Sequence, residues 1–335
     1  MTEPQEFSAT VVDGVSEPGA AATPAVSIAV VVPCYNEETA IGRVIADFRS
    51  VLPSAEIYVY DNNSTDRTVE VARAAGAIVR TERQQGKGNV VRRMFADVDA
   101  DVFLLVDGDN TYEAAAAPKL IDLLLEQNLD MVTGCRVTEI EAAYRPGHRF
   151  GNWLLTALVA TIFGRQTKDM LSGYRVFSRR FVKSFPALSR GFEIETELTV
   201  HALELRLPIS EVDTVYIDRL PGSESKLSTI KDGIRILRLI VSLVKEERPF
   251  QFFSAVAAAL GLAALVLAYP LFVEFWETGL VPRFPTAILV GSIIVIAALS
   301  FLAGIILDTV TLGRREMKRL HYLTLPAPSA RRARR

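Results

Sequence analysis

Val102-Phe-Leu-Leu-Val-Asp-Gly-Asp-Asn-Thr-Tyr112 decides the reading of this chain. An unbroken apolar, partly β-branched run reads as a strand buried on both faces. It ends in two carboxylates one residue apart, Asp107 and Asp109, which point the same way, while Gly108 lets the backbone turn. Upstream, the same alternation repeats. Ser27–Val32 reads as a strand and Thr39–Val51 as a helix. Glu56–Tyr60 reads as a strand, Asp66–Ala75 as a helix, Ala77–Arg80 as a strand and Lys87–Val98 as a helix. Strands and helices alternating at such short spacing predict an α/β fold, a mostly parallel sheet covered on both faces. Ligands of such sheets bind beyond the carboxyl ends of the strands.

The polar residues of this chain gather at those ends. The first strand runs into Val32-Pro-Cys-Tyr-Asn-Glu-Glu38, and the second into Asp61-Asn-Asn-Ser-Thr-Asp66. Taken alone, the second stretch also fits a plain helix start, with Ser64 or Thr65 as cap. The Asp107/Asp109 pair suits a divalent cation bridging to a diphosphate, because Mg²⁺ takes one or two carboxylates together with phosphate oxygens. No Gly-x-Gly-x-x-Gly follows a strand, and Gly86-Lys-Gly88 lacks the spacing of a phosphate-binding P-loop. A dinucleotide oxidoreductase and a P-loop ATPase both lose support.

Downstream the composition changes. Neither 249–273 nor 285–307 contains a charged residue, and each reaches the ~20 residues a helix needs to cross a bilayer. The loop between them has Arg283 as its one basic residue, whereas Arg314, Arg315, Lys318, Arg319 and a terminal Arg-Arg-Ala-Arg-Arg follow the second run. By the positive-inside rule the tail, 308–335, and the domain before residue 249 both face the cytosol. An inner-membrane, two-span protein is the expectation. Residues 230–248 carry Ile230, Ile234, Leu237, Val241 and Val244 at helical spacing among Lys231, Arg235, Arg238 and Lys245. This is an amphipathic helix for the lipid interface or, equally, a helix packed on the domain. Residues 1–25 lack the basic and apolar regions of a signal peptide and read as a disordered leader.

Bulk composition mostly excludes. With 335 residues and a net charge of −2, nothing suggests nucleic acid as a partner. Two distant cysteines, Cys34 and Cys135, argue against a disulfide framework. Three scattered histidines argue against a zinc centre.

Taken in order, Val-Pro-Cys-Tyr-Asn-Glu-Glu, Asp-Asn-Asn-Ser-Thr-Asp, Gly-Lys-Gly and Asp-Gly-Asp-Asn-Thr-Tyr resemble a family 2 inverting glycosyltransferase of the GT-A (Rossmann-like) fold. Asp169-Met-Leu-Ser-Gly-Tyr-Arg-Val-Phe-Ser-Arg-Arg180 and Arg219-Leu-Pro-Gly-Ser-Glu-Ser-Lys226 are similar to its dolichyl-phosphate mannose synthase and polyprenyl-phosphate glycosyltransferase branch. The resemblance covers about residues 26–310, with the GT-A domain over 26–229. It implies that Pro33, Tyr35, Asn36, Glu37, Asp61, Asn63 and Lys87 bind the nucleotide sugar. Asp107, Gly108 and Asp109 would hold Mg²⁺ or Mn²⁺ and the diphosphate, with Arg219, Ser225 and Lys226 closing over it. Arg136, Arg149, Ser172 and Arg175 would grip the acceptor phosphate, since Arg forks and Lys point charges suit phosphates. The mannose synthases usually read Asp-Ala-Asp-Leu-Gln at the metal motif; Asn110 and Thr111 here leave the sugar and nucleotide open.

The implied reaction moves a hexose from a donor of the UDP-glucose or GDP-mannose class to a polyprenyl or dolichyl phosphate, by one displacement with inversion. A phosphate monoester is already an anion at neutral pH, so its oxygen attacks without a general base. Glu193 and Glu195 are the remaining acids of interest. Spacing of two aligns them on a strand; alternatively they are helix-start acids. A processive polysaccharide synthase normally carries Gln-x-x-Arg-Trp and more spans, neither present here. A nucleotidyltransferase wants a basic, Gly-rich loop where this chain has Cys-Tyr-Asn-Glu-Glu. Another acceptor and a non-catalytic scaffold complete the alternatives. Membrane lipids are implied partners, and the apolar helices offer surfaces for a homo-oligomer.

Overall fold

The computed structural model describes residues 26–137, 157, 160, 167–191, 193–217, 238 and 241–327. Arg149, Arg219, Ser225, Lys226, the leader and most of 230–240 lie outside these residues.

In chain order the elements are β1 (Ile28–Cys34), α1 (Ile41–Val51), β2 (Glu56–Asp61), α2 (Thr68–Ala74), β3 (Ile78–Thr81), α3 (Lys87–Asp97) and β4 (Val102–Leu105). Then follow α4 (Ala117–Glu126), β5 (Met131–Val137), β6 (Arg175–Ser178), α5 (Arg179–Ser184), α6 (Ile194–Glu204) and β7 (Ile209–Val215). Two long helices finish the chain, α7 (Pro249–Thr278) and α8 (Phe284–Thr324). The sheet has seven strands in the order β3-β2-β1-β4-β6-β5-β7. All neighbours pair in parallel except β6, which is antiparallel to both β4 and β5.

Strand alternation divides the core into two layers. Val30, Val32, Leu104 and Val176 face α1 and α4, where Ile41, Ile45, Phe48 and Leu120 cover them. Ala29, Val31, Phe103, Leu105 and Phe177 face the other side, packed by Met94, Phe95, Phe181 and Leu198. A sheet buried on both faces explains why these strands read as continuous apolar runs. Pro33 lies beyond the last register pair with β4, so β1 tolerates a residue without an N–H there.

Both C-terminal helices are long and apolar enough to cross a membrane, and only 11% of each apolar window is buried. They pack on one another through Ala264, Ala268, Leu271 and Val290. Other apolar side chains, such as Leu265, Phe272, Ile296 and Leu302, face outward. One expectation changes here. The stretch read as a basic tail is not a separate segment up to Thr324, because α8 continues to that residue in a single helix. Its Arg314, Arg315 and Lys318 are paired with carboxylates elsewhere in the chain.

Candidate active site

Three loops meet where β1, β2 and β4 end. The first two are tied by backbone-directed bonds. Asn36 N–H donates to Ser64 Oγ at 2.9 Å, and Thr65 N–H donates to Asn36 Oδ1 at 2.8 Å. Glu37 N–H donates to Thr68 Oγ1 at 2.8 Å, and Arg67 N–H to Glu38 Oε2 at 2.9 Å. Asn36 and Asn63 sit at φ 53° and 65°, a left-handed backbone that asparagine tolerates better than most residues. Asp61 is buried and accepts from Ser64 N–H at 3.3 Å, while Tyr35 stands exposed beside it.

Asn62 was not among the expected site residues, yet it holds the next loop. Its Nδ2 donates to the carbonyls of Glu82 and Gln84 at 2.8 and 2.9 Å, and its Oδ1 accepts from Gly86 N–H at 2.7 Å. This places Lys87 at the start of α3. A methyl on Gly86 or Gly88 would fall 2.1 or 2.2 Å from the Arg190 or Ser189 carbonyl oxygen. The two glycines therefore serve a close passage of backbone against backbone, and Glu197 fixes the opposing loop by accepting from Leu188 and Ser189 N–H at 2.8 Å each.

Lys87 Nζ lies 2.5 Å from Asp107 Oδ1 and 2.5 Å from Glu195 Oε1. Burial alone would lower the ammonium's pKa; the two carboxylates more than offset it and raise the value, so Lys87 stays charged. Glu195 is pushed upward by its own burial and by the charge of Asp107, against the pull of Lys87. Glu193 and Glu195 do not line a strand. Glu193 occupies the position before α6 without a side-chain cap bond, and Glu195 lies in the first turn, where residues two apart diverge.

The acidic pair sits as a compact turn. Asp109 Oδ1 accepts from Thr111 N–H and Oγ1 at 3.3 and 2.7 Å. Gly108 is not the turning residue: Asn110 takes the positive φ of 59°. Gly108 instead leaves room for Cys34, whose Sγ would lie 2.6 Å from an added methyl. Asp107 is pressed against Gly173 in the same manner, a methyl there falling 2.3 Å from its Oδ2. Tyr112 O–H accepts from Gly173 N–H at 2.9 Å, fastening this turn to the segment before β6. Among the described residues no three His, Cys, Asp or Glu side chains converge on a metal position. Asp107 and Asp109 could hold a cation whose remaining ligands are phosphate oxygens, since Mg²⁺ takes one or two carboxylates together with phosphates.

Arg136 ends β5 and forms a two-pronged ion pair with Asp169, Nε and Nη2 donating at 2.7 and 2.8 Å, with its guanidinium 5.7 Å from the Tyr216 ring centre. Burial would raise the Asp169 pKa, but the Arg136 bonds and charge hold it below the usual range. Sequence reading quoted Asp169 without giving it a role. Two expected acceptor residues are corrected. Ser172 is fully buried and donates to the Gly134 carbonyl at 2.5 Å. Arg175 is fully buried, donating to the Ser172 carbonyl, Thr199 Oγ1 and the Met170 carbonyl at 2.9, 2.8 and 2.6 Å. Arg175 is turned inward from β6, which is wedged between β4 and β5, and it braces the turn carrying Asp169 instead of meeting a phosphate.

Comparison with known proteins identifies the family and the fold. The glycosyl transferase family 2 model matches residues 29–185. The glycosyltransferase AglJ of Haloferax volcanii is 34% identical over 309 residues, 89% of this chain and 98% of its own. The dolichyl-phosphate hexose transferase of the same organism is 31% identical over 221 residues, 66% of this chain and 95% of its own. Among solved structures, glucosyl-3-phosphoglycerate synthase from Mycobacterium tuberculosis, in complex with phosphoglyceric acid, superposes with a TM-score of 0.54 at 25% identity, over 66% of this chain and 79% of that one. With its acids at the strand ends and a relative matched over nearly its whole length, this chain belongs to glycosyl transferase family 2, on a GT-A-like sheet.

Proposed function

We propose that this glycosyltransferase moves a hexose from a nucleotide sugar to a polyprenyl or dolichyl phosphate at the cytosolic face of the membrane, with inversion at the anomeric carbon. One observation carries the reading: the Asp107–Asp109 turn, braced by a buried Lys87, shares a chain with two outward-apolar helices. Likeness to the dolichyl-phosphate hexose transferase of Haloferax volcanii supports the same acceptor class.

Asp107 and Asp109 would hold Mg²⁺ or Mn²⁺ against the donor diphosphate. That cation would stabilise charge on the leaving nucleoside diphosphate. Lys87 keeps a fixed positive charge beside Asp107, and Glu195 keeps Lys87 in place. Arg136, oriented by Asp169, is the described arginine for the acceptor phosphate; Arg149, and the closing residues Arg219, Ser225 and Lys226, come from the sequence reading. An acceptor phosphate oxygen attacks the anomeric carbon, that carbon's bond to the diphosphate oxygen breaks, and the nucleotide leaves with the electron pair. No proton need be removed from the acceptor, so orientation and charge do the work.

The test incubates purified protein in detergent with Mg²⁺ or Mn²⁺, undecaprenyl phosphate and a panel of radiolabelled nucleotide sugars. Label should enter the organic phase with one donor and vanish in Asp109→Ala. Donor binding without transfer to the lipid would refute the acceptor.

A further inference from the structure

The apolar run of α8 ends at Leu307, but the helix continues through residues 308–324, about 25 Å at 1.5 Å per residue. This extension is bolted to the catalytic domain at two buried acids, Glu204 and Asp130, and to the start of α7 at a third, Glu247. Glu204 is the last residue of α6, 1% exposed, where the negative end of the helix dipole disfavours a carboxylate. Lys318 Nζ meets it at 2.6 Å and Arg315 Nε at 3.5 Å. Glu247, just before α7, takes Arg315 at 2.9 Å and Arg314 at 3.2 Å. Asp130 is wholly buried before β5 and accepts from Tyr322 O–H at 2.7 Å, together with Ser178 and both prongs of Arg180. The Arg180 guanidinium also lies 4.5 Å from the Tyr322 ring centre.

The contacts to Asp130 lie at the ends of the strands opposite to those that Asp107 follows. Val102, where β4 begins, pairs with Ser178, and the acids follow the other end of that strand. Basic residues after a membrane span are commonly topology signals or lipid contacts. Here three of them are used up by buried carboxylates, which would be costly to leave unpaired.

We propose that residues 308–324 of α8 form a rigid strut that fixes the height and rotation of the Asp107–Asp109 site over the bilayer. The proposal rests on the membrane reading above. The strut makes Lys318, Arg315 and Tyr322 positioning residues, acting through Glu204, Glu247 and Asp130 and not on the reacting atoms.

The experiment uses the full chain in nanodiscs with spin labels on Lys119→Cys, exposed on α4, and Met317→Cys, exposed on α8; the native Cys34 and Cys135 are buried and remain unlabelled. One narrow distance distribution is expected, broadened by Lys318→Glu with Tyr322→Phe and kept narrow by Lys318→Arg. With undecaprenyl phosphate in the disc, the double variant should lose transfer at least tenfold. With a ten-carbon, water-soluble citronellyl phosphate and the same donor, its rate should change less than twofold. A broad distribution in the unsubstituted chain, an unbroadened one in the double variant, or equal losses on both acceptors would overturn the strut. Absence of transfer to either acceptor would instead sink the lipid-phosphate reading, and the distances alone would then decide the strut.

Discussion

Lys87 Nζ and Glu195 Oε1 are 2.5 Å apart, joining the first residue of α3 to the first turn of α6 across 108 residues of sequence. The same ammonium reaches Asp107. Neither helix could keep its charge buried alone, so each requires the other's placement.

Replacing Lys87 by Met should therefore damage both fold and chemistry. Two acids would face each other without a cation, and breaking a buried pair typically costs about 3 kcal/mol or more. We expect a lower thermal midpoint in detergent and at least a hundredfold loss of transfer. Glu195→Gln retains the shape and should cost less on both counts. A Lys87→Met protein with unaltered midpoint would show that the pair contributes nothing.

Gly173→Ala places a methyl against Asp107 Oδ2, which must then shift. The expected result is a roughly tenfold higher Mg²⁺ or Mn²⁺ requirement, consistent with the loss typical of disturbing groups that orient a ligand. Gly261→Ala in α7 meets no atom within 4 Å and serves as the silent control. Metal titrations of both variants decide the matter; equal curves would remove Asp107 from the metal site.

Gly88→Ala tests the backbone passage. Ser189's carbonyl oxygen would lie 2.2 Å from the new methyl, and backbone cannot swing aside as a side chain does. Overpacking of this kind costs about 1–3 kcal/mol. Denaturant midpoints should fall accordingly, whereas a phosphate loop that merely needed flexible glycines would lose donor affinity without losing stability.

His201 gives the protein a pH dependence of known sign. Burial, with the nearby charge of Lys318, pushes its pKa down to about 3. The unfolded side chain titrates near ~6.5. Between these values the unfolded chain holds a proton that the folded chain lacks, so stability is complete above about pH 6.5 and declines as pH falls. At pH 5 the difference is about 2 kcal/mol. His201 meets Phe181 and Phe185 edge-on, so His201→Phe keeps an aromatic ring there. Thermal midpoints from pH 7.5 to 5 should fall less steeply in that variant, and parallel curves would refute the assignment.

Much of the fold was legible because its signals are local. Apolar strands covered on both faces have no polar face to alternate, which made β1 and β4 readable as apolar runs. Asp107 and Asp109 stand out in the sequence because they follow an apolar strand, and ligands of such sheets bind beyond the strands' carboxyl ends. Arg175 misled, since an arginine close to a motif looks the same whether it meets phosphate or, as here, four protein acceptors.

By itself, the sequence determined the family, the alternation of strands and helices, the acidic turn and two runs long enough to span a bilayer. Those features depend on residues adjacent in the chain, or on periods of two and 3.6. Tertiary structure decided that β6 runs antiparallel, that Gly86 and Gly88 admit the Ser189–Arg190 backbone, and that Lys87 joins Asp107 to Glu195. It also turned the basic residues after the second apolar run into partners of Glu204 and Glu247. Charges and close approaches of this kind connect positions tens to more than a hundred residues apart, and their partners are chosen by packing, which no local pattern encodes.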